Sequence, residues 1–156
     1  MCDFEEDGLI GEKKFRTWLD ELKVEYLWIA QSPETFAAAF HGKAKRPDVL
    51  VSRGGGRIAA IEVKHKRPGF WAGCDKACFG VEKETDIKRL GEFEQGFGIP
   101  VWFAFFDGWN YDRIDLWRIA KRSELQVHRN FEAYLLVDAN KLPLVSSAAD
   151  LLKHLA

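Results

Sequence analysis

The chain has 156 residues and a formal net charge of −1, and 47% of its residues are hydrophobic. This composition excludes a disordered chain, and it fits a single domain over residues 1–156 with enough apolar material for a core. The near-neutral charge excludes a protein that wraps long duplex DNA nonspecifically, because phosphate neutralisation drives that kind of binding. Any nucleic-acid surface must therefore be local.

The N-terminus and the apolar runs bear on the location of the protein. The first eight residues, MCDFEEDG, are acidic, whereas a secretory signal begins with basic residues. No apolar run reaches the length that spans a bilayer. Three cysteines are too few for a disulfide framework, which favours reduced thiols. We therefore expect a cytoplasmic protein with no membrane segment.

The first helix is predicted over residues 8–22. Its apolar side chains recur at the spacing of an amphipathic helix, at Phe15, Trp18, Leu19 and Leu22. Glu12 falls on the same stripe, where a carboxylate is costly unless something compensates its charge. Glu12 is thus either an acidic group at a metal site or a glutamate of the first turn that the helix dipole favours.

A strand and a short helix are predicted next. Residues 24–30 are rich in β-branched and aromatic side chains, which favour a strand. Residues 32–40 begin with Ser32 and Pro33, which suit the N-cap and the first turn of a helix. A basic connector over residues 41–46 then leads into the most informative stretch of the chain.

The stretch from residue 46 to residue 67, RPDVLVSRGGGRIAAIEVKHKR, is predicted to form a β-hairpin. Two apolar runs flank three glycines, which accept the positive φ angles of a tight strand reversal. Side chains alternate along a strand, so Glu62 and Lys64 project to one face, opposite the apolar packing. Asp48 begins the first strand and therefore faces the end of the second. Two carboxylates and an ammonium converge.

This cluster has the chemistry of a metal-dependent hydrolase. Mg²⁺ prefers oxygen ligands and is commonly held by one or two carboxylates, which Asp48 and Glu62 supply. The Lys64 ammonium would position a nucleophile or offset the charge that develops on phosphorus. The pattern indicates phosphodiester hydrolysis, and the alternative is an ordinary surface hairpin whose Glu and Lys face water.

Basic residues flank the hairpin on both sides. Lys45 and Arg46 precede its first strand, and Lys66 and Arg67 follow its second. We interpret these four residues as candidates for binding substrate phosphates, which Lys and Arg commonly contact. The alternative for each pair is a solvated surface.

The chain after the hairpin alternates between loop, helix and strand. Residues 67–80 are rich in Gly and predict a loop at the mouth of the site. A helix is predicted over residues 83–95, with Gly96 and Gly98 as C-cap positions. Residues 99–106, IPVWFAFF, are apolar throughout and predict a central strand buried on both faces.

The last third of the chain is less regular. A turn is predicted over residues 107–110 and a strand over residues 114–119. Residues 125–137 are ambiguous between strand and irregular structure. Residues 147–155 predict a short helix with Ser147 as its N-cap.

The pattern Pro47-Asp48, followed by Glu62-x-Lys64 at the end of the next strand, resembles the signature of the PD-(D/E)xK nucleases. Over about residues 8–106 the chain is most similar to the archaeal-type Holliday-junction resolvases. The order of the predicted elements indicates a mixed sheet covered by helices. The resemblance implies the same α/β fold, with a mixed central β-sheet flanked by helices in the restriction-endonuclease-like order αβββαβ. It also implies Mg²⁺-dependent DNA cleavage, with Mn²⁺ able to replace Mg²⁺.

The resemblance implies roles for the residues of the hairpin and the first helix. Asp48, Glu62 and Val63 would form the metal site. Lys64, Glu62, Asp48 and Glu12 would be catalytic, with Glu12 matching the family's first-helix glutamate.

The helix over residues 83–95 adds two further candidates for substrate binding, Lys83 and Asp86. Both extend its apolar face towards the N-terminal end, which would border the active site. Asp86 stands where the family often has a glutamine. It either contacts substrate-bound water or caps the helix.

The leading hypothesis is a metal-dependent endodeoxyribonuclease that is selective for branched DNA and acts as a homodimer. The first alternative is a restriction-type or repair-type nuclease that cuts duplex DNA, although no recognition module for base edges is evident. The second alternative is a catalytically silent nucleic-acid-binding module with the same fold.

Overall fold

The computed structural model describes residues 3–29, 43–65, 68–71, 74–106 and 117–156. Its α-helices are α1 (Asp3–Glu21), α2 (Leu90–Phe97) and α3 (Ala148–His154). Its strands are β1 (Tyr26–Trp28), β2 (Val49–Gly54), β3 (Arg57–Lys64), β4 (Gly69–Phe70), β5 (Ala77–Glu82), β6 (Val101–Phe106), β7 (Trp117–Lys121), β8 (Val127–Phe131), β9 (Tyr134–Asp138) and β10 (Leu144–Val145). A π-helical segment, Lys83–Arg89, runs directly into α2.

A six-stranded mixed sheet in the order β1-β2-β3-β6-β7-β10 forms the centre of the fold. Strands β3 and β6 pair in parallel, and the other neighbouring strands pair antiparallel. The predicted hairpin is confirmed, because β2 and β3 pair with Val49 opposite Ile61 and the three glycines of the turn have positive φ. This register places the start of β2 beside the end of β3.

The two faces of this sheet carry separate apolar clusters. On one face, Phe15 and Trp18 of α1 and Leu151 of α3 pack against the sheet. On the other face, Leu90 of α2 and Phe79 of β5 belong to the second cluster. Strand β6 contributes to both clusters and is buried along its whole length, as its apolar sequence predicted.

A second, four-stranded antiparallel sheet in the order β4-β5-β9-β8 was not predicted. The loop prediction for residues 67–80 is wrong at residues 69–70 and 77–80, which belong to β4 and β5. Gly80 was interpreted as a loop residue, but here it leaves room for a neighbouring ring. A Cβ built on Gly80 would lie 2.5 Å from Cζ2 of Trp71. The ambiguous residues 125–137 contain the hairpin of β8 and β9.

The helices predicted over residues 8–22, 83–95 and 147–155 are confirmed with shifted boundaries. The first helix begins earlier than predicted, at Asp3. The helix expected over residues 83–95 begins as a π-helix and ends at Gly98, whose φ of 65° is left-handed. Ser147 caps α3, because its Oγ accepts a hydrogen bond of 3.1 Å from the backbone N–H of Asp150.

Two predicted segments, the helix over residues 32–40 and the turn over residues 107–110, lie outside the described residues. The strand predicted over residues 114–119 is described from Trp117, and it extends to Lys121. Within the described ranges, no helix combines the length and the apolar character needed to cross a membrane.

Candidate active site

Two buried carboxylates meet where β2 begins and β3 ends. Asp48 is 8% exposed and Glu62 is 2% exposed. The backbone N–H of Val63 donates a hydrogen bond of 2.7 Å to Oδ2 of Asp48, and the N–H of Asp48 donates to the carbonyl of Ile61. These bonds lock Asp48 beside the end of β3, as the hairpin register predicted.

Helix α1 brings a third carboxyl group to this point. The Glu12 carboxyl lies close enough to Asp48 to raise the pKa of the Asp48 carboxyl. The approach depends on Gly11, since a Cβ at this position would lie 2.1 Å from Cβ of His65, just after β3. Glu12 is half-buried. The structure thus gives Glu12 a partner at the predicted site, beyond a place in the first turn of a helix.

Two lysines and a buried aspartate complete the cluster. The ammonium of Lys45 donates a short hydrogen bond to Oε2 of Glu62, and it lies 3.3 Å from Oδ1 of Asp86. The ammonium of Lys64 lies 2.7 Å from the same Oδ1 and 3.4 Å from Oε2 of Glu62. Asp86 therefore holds both ammonium groups against Glu62.

The π-helical segment places the buried side chain of Asp86 beside Lys45 and Lys64. The Oδ2 of Asp86 accepts a hydrogen bond of 2.9 Å from the backbone N–H of Glu82, where β5 ends, so one oxygen anchors the side chain and the other faces the lysines. The carbonyl of Arg89, at the end of the segment, accepts a bond of 3.1 Å from the N–H of Lys45. Single turns of π-helix occur frequently at functional sites. Here the segment positions an acid and the connector that carries Lys45.

The pKa values follow from burial and from these neighbours. Burial raises the pKa of Asp48 to about 7, and the nearby Glu12 carboxyl adds to the rise. Burial also raises the pKa of Glu62 to about 8, with Asp48 adding to it and the two lysines opposing it. Burial acts in the same direction on Asp86, but Lys64 and Lys45 outweigh it and lower the pKa of that carboxyl. When all four carboxyl groups are ionised they outnumber the two ammonium groups, and this excess of negative charge favours a further cation.

The donors present fit a hard divalent cation. Within the described residues, no group of three or more His, Cys, Asp or Glu side chains is arranged to hold a metal ion. Mg²⁺ needs fewer protein ligands, since it is commonly bound by one or two carboxylates and keeps several waters. In the same part of the chain, Oε1 of Glu62 is buried and has no hydrogen-bond partner. This buried oxygen beside Asp48 is the observation that fits a divalent cation as its partner.

The residues predicted to bind substrate lie at different distances from this cluster. Lys45 and Asp86 are part of it. Arg46 is half-buried in the connector before β2. Lys83 is directed towards the β8–β9 turn, where its ammonium donates a hydrogen bond of 3.0 Å to the carbonyl of Glu132. Lys66 and Arg67 lie outside the described residues.

The contacts of Lys45 and Asp86 were missed by the sequence analysis. Lys45 was interpreted as a phosphate ligand and Asp86 as a water contact or a cap, whereas in the structure they bind each other across 41 positions of sequence. Asp86 lies three residues after Lys83 on a helix face that was predicted to point at the site. That position on the helix was the only indication in the sequence that Asp86 lies at the site. No local pattern indicates that its partners are Lys45 and Lys64.

Comparison with known proteins concerns the fold. The chain matches no family model and no curated protein. Solved structures do match it, and the match extends over the mixed six-stranded sheet and its helices. One such structure is that of Hjc, a Holliday junction resolvase from the archaeal hyperthermophile Archaeoglobus fulgidus. The TM-score is 0.55, the sequence identity is 16%, and the match covers 85% of this chain and 89% of that chain.

The resemblance read from the sequence is therefore confirmed as a likeness of fold. Of the residues that carried it, Asp48 directly precedes β2, and Glu62 and Lys64 lie at the end of β3.

Proposed function

We propose that the chain is a Mg²⁺-dependent endonuclease that hydrolyses DNA phosphodiester bonds and prefers branched DNA. The observation that carries the proposal is the convergence of Asp48, Glu62 and Lys64 at one end of β3, with one carboxylate oxygen lacking a partner in the described part of the chain. A surface hairpin whose Glu and Lys face water does not account for a glutamate that is 2% exposed.

Each residue has a separate task in this proposal. A cation bound by Asp48, Glu62 and the backbone carbonyl of Val63 would polarise a phosphate oxygen and lower the pKa of bound water. Lys64 offsets negative charge that develops on the phosphate, because Asp86 holds its ammonium in place before the substrate arrives. Glu12 lies beside Asp48 and contributes a third acidic group to the site.

The preference for branched DNA is supported by the likeness to Hjc, whose name states that it is a Holliday junction resolvase. The composition supports a local contact with DNA, because a net charge of −1 is unsuited to binding along a duplex. A four-way junction presents two equivalent strands, so the proposal includes a homodimer with two sites.

The test is a cleavage assay on a four-way junction, a linear duplex and a single strand, each with Mg²⁺ and with EDTA. We expect nicking of the junction with Mg²⁺, weaker nicking of the duplex, and none with EDTA. Asp48→Asn and Glu62→Gln should each abolish cleavage, since each removes a metal-binding charge. Glu84→Gln is the matched control, because Glu84 is an exposed carboxylate on the same π-helical segment as Asp86.

Three results would change the assignment. Cleavage by Asp48→Asn and Glu62→Gln that still requires Mg²⁺ would place the metal elsewhere. Equal rates on duplex and junction would favour the restriction-type or repair-type nuclease. Junction binding without cleavage, in the presence of either Mg²⁺ or Mn²⁺, would favour the silent binding module.

A further inference from the structure

Lys45 places a positive charge directly against the buried carboxylate of Glu62. Its ammonium bonds directly to Oε2 of Glu62, which is 3% exposed at the side chain, whereas the Lys45 side chain is 33% exposed. The contact therefore joins a buried carboxylate to a lysine that reaches in from the rim. A lysine of this kind has solvent on one side and can withdraw without opening the core.

The backbone of Lys45 is held independently of its side chain. Its N–H donates to the carbonyl of Arg89 at the end of the π-helical segment. Movement of the ammonium thus requires rotation about side-chain bonds and no movement of the chain. The three rotatable donors of an ammonium tolerate such a change of partner.

Asp86 offers the displaced ammonium a second partner. Its Oδ1 already lies 3.3 Å from Nζ of Lys45 and 2.7 Å from Nζ of Lys64. Asp86 is buried and its other oxygen is bound to the N–H of Glu82, so it stays in place when Glu62 changes partner. Lys45 is therefore tethered at the site in both arrangements.

We propose that Lys45 is a built-in counter-cation of Glu62, which a divalent cation displaces and which Asp86 then retains beside Lys64. The inference rests on the proposed function only for the presence of a divalent cation at Asp48 and Glu62. Metal binding exchanges one cation for another at Glu62, and the released ammonium becomes available to the DNA phosphates. The site thereby gains its second phosphate-binding cation when the metal is in place.

The test is direct calorimetric titration with Mg²⁺, in the absence of DNA and at pH 8.5 to limit proton competition. Lys45→Met keeps the length of the side chain and removes its charge. It should bind Mg²⁺ about tenfold more tightly or better, since a competing charge at contact distance is removed. Lys43→Met is the matched control and should bind as wild type, because Lys43 is exposed and pairs with Glu92 outside the cluster.

A double-mutant cycle separates direct competition from a general charge effect. In a Glu62→Gln background, Lys45→Met should produce little further change in Mg²⁺ affinity, because the group they compete for is gone. An equal gain in both backgrounds would overturn the inference. So would a Lys45→Met protein that binds Mg²⁺ no more tightly than wild type while Asp48→Asn weakens binding, and this result would leave the proposed function intact.

A measurement on wild type covers the case in which Lys45→Met does not fold. The side-chain Cε–Hε NMR signal of Lys45 should shift on addition of Mg²⁺, and that of Lys43 should not. An unchanged Lys45 signal at saturating Mg²⁺ overturns the inference. Absence of any Mg²⁺ binding to wild type, by heat or by NMR, overturns both the inference and the metal site of the proposed function.

Discussion

At the scale of single residues, Lys64 is fixed by a buried acid, with its ammonium 2.7 Å from Asp86. If Lys64 stabilises the transition state, Lys64→Ala should lower the single-turnover rate at saturating DNA with little change in affinity. We expect a loss of about 10²- to 10³-fold, which is typical for a positioned electrostatic donor. Lys64→Arg should restore the rate only in part, because a planar guanidinium places its charge differently.

The control for Lys64 is Lys88→Ala, which removes an exposed lysine that pairs with Glu84 one turn away. This variant should cleave as wild type. A Lys64→Ala protein that cuts saturating DNA within a few-fold of wild type would show that Lys64 is misassigned. A rate that recovers fully as DNA is raised would assign Lys64 to ground-state binding of phosphate.

The raised pKa values of Asp48 and Glu62 predict how stability depends on pH without metal. Their pKa values rise from 3.8 and 4.5 to about 7 and about 8, so the folded state holds protons that the unfolded state releases. The stability they contribute is complete below pH 4 and is lost as pH rises through 7 and 8. In EDTA, we expect the free energy of unfolding to fall between pH 5.5 and 8.5 by on the order of a few kcal/mol.

Urea denaturation at the two pH values measures this loss. Glu62→Gln should flatten the profile, since the amide does not titrate, and Mg²⁺ should restore stability to wild type at pH 8.5 by favouring the ionised carboxylates. A wild-type profile that matches that of Glu62→Gln would contradict the assigned burial of Glu62.

The sequence was sufficient to predict which residues one hairpin brings close together. Asp48 and Glu62 are joined by a short turn, so their meeting follows from strand pairing and side-chain alternation alone. Asp86 reaches them from a different element, and its partner Lys45 is 41 positions away. The contact between Lys45 and Asp86 depends on a π-helical turn, and the spacing of apolar residues does not predict such a turn.

At the scale of elements, the contact of α1 with the end of β3 depends on Gly11. An alanine normally stabilises a helix interior by up to about 1 kcal/mol relative to glycine. Here the added Cβ would lie 2.1 Å from Cβ of His65, which is too close to accommodate without moving α1. We expect Gly11→Ala to destabilise the protein by about 1–3 kcal/mol, and to lower cleavage because Glu12 moves with the helix.

Gly91→Ala on α2 is the matched control. Its Cβ would lie 3.5 Å from the side chain of Arg122, an ordinary contact distance. This variant should be as stable as wild type or more so, by up to about 1 kcal/mol. Chemical denaturation of both proteins distinguishes the two sites, and a Gly11→Ala protein as stable as Gly91→Ala would show that α1 does not require this close approach.

The second sheet shows where element prediction fails. Gly80 lies in β5, and this strand position needs a glycine because the ring of Trp71 packs over it. Trp71 also contacts Phe131 and Tyr134, at ring-centroid distances of 5.5 and 5.3 Å. A glycine inside a strand often marks a close approach. In the sequence alone, this glycine indicates a loop. Trp71, the residue that requires a glycine here, is brought to it by the pairing of β4 with β5, which the sequence does not show.

At the scale of the whole molecule, the order of the central elements was predictable because each rests on a local pattern. The apolar run of β6 predicts a strand that is buried on both faces, and the apolar stripe of α1 predicts a helix that covers one of these faces. The parallel pairing of β3 with β6, by contrast, joins strands that are separated by the whole of β4, β5 and α2. The order of the predicted elements indicated a mixed sheet, and the resemblance implied the same core, but no local pattern identified this pair of strands.

The acting assembly is expected to be a homodimer. The proposed site is formed by one carboxylate pair per chain, and a four-way junction must be cut on two strands to be resolved. Two chains related by a twofold axis present two such sites in the symmetry of the junction. We therefore expect light scattering to give twice the 17.9 kDa of one chain at working concentration, with and without junction DNA.

Mixed dimers connect this assembly to the chemistry. A supercoiled plasmid that extrudes a cruciform becomes linear when both strands are cut in one encounter, and becomes a nicked circle when only one is cut. Wild type should yield linear product, and wild type mixed with excess Asp48→Asn should accumulate nicked circles, because each mixed dimer has one working site. A chain that remains monomeric with and without junction DNA would contradict the dimer. Linear product that falls only in proportion to the dilution of wild type, with no rise in nicked circles, would show that the two cuts do not depend on paired sites.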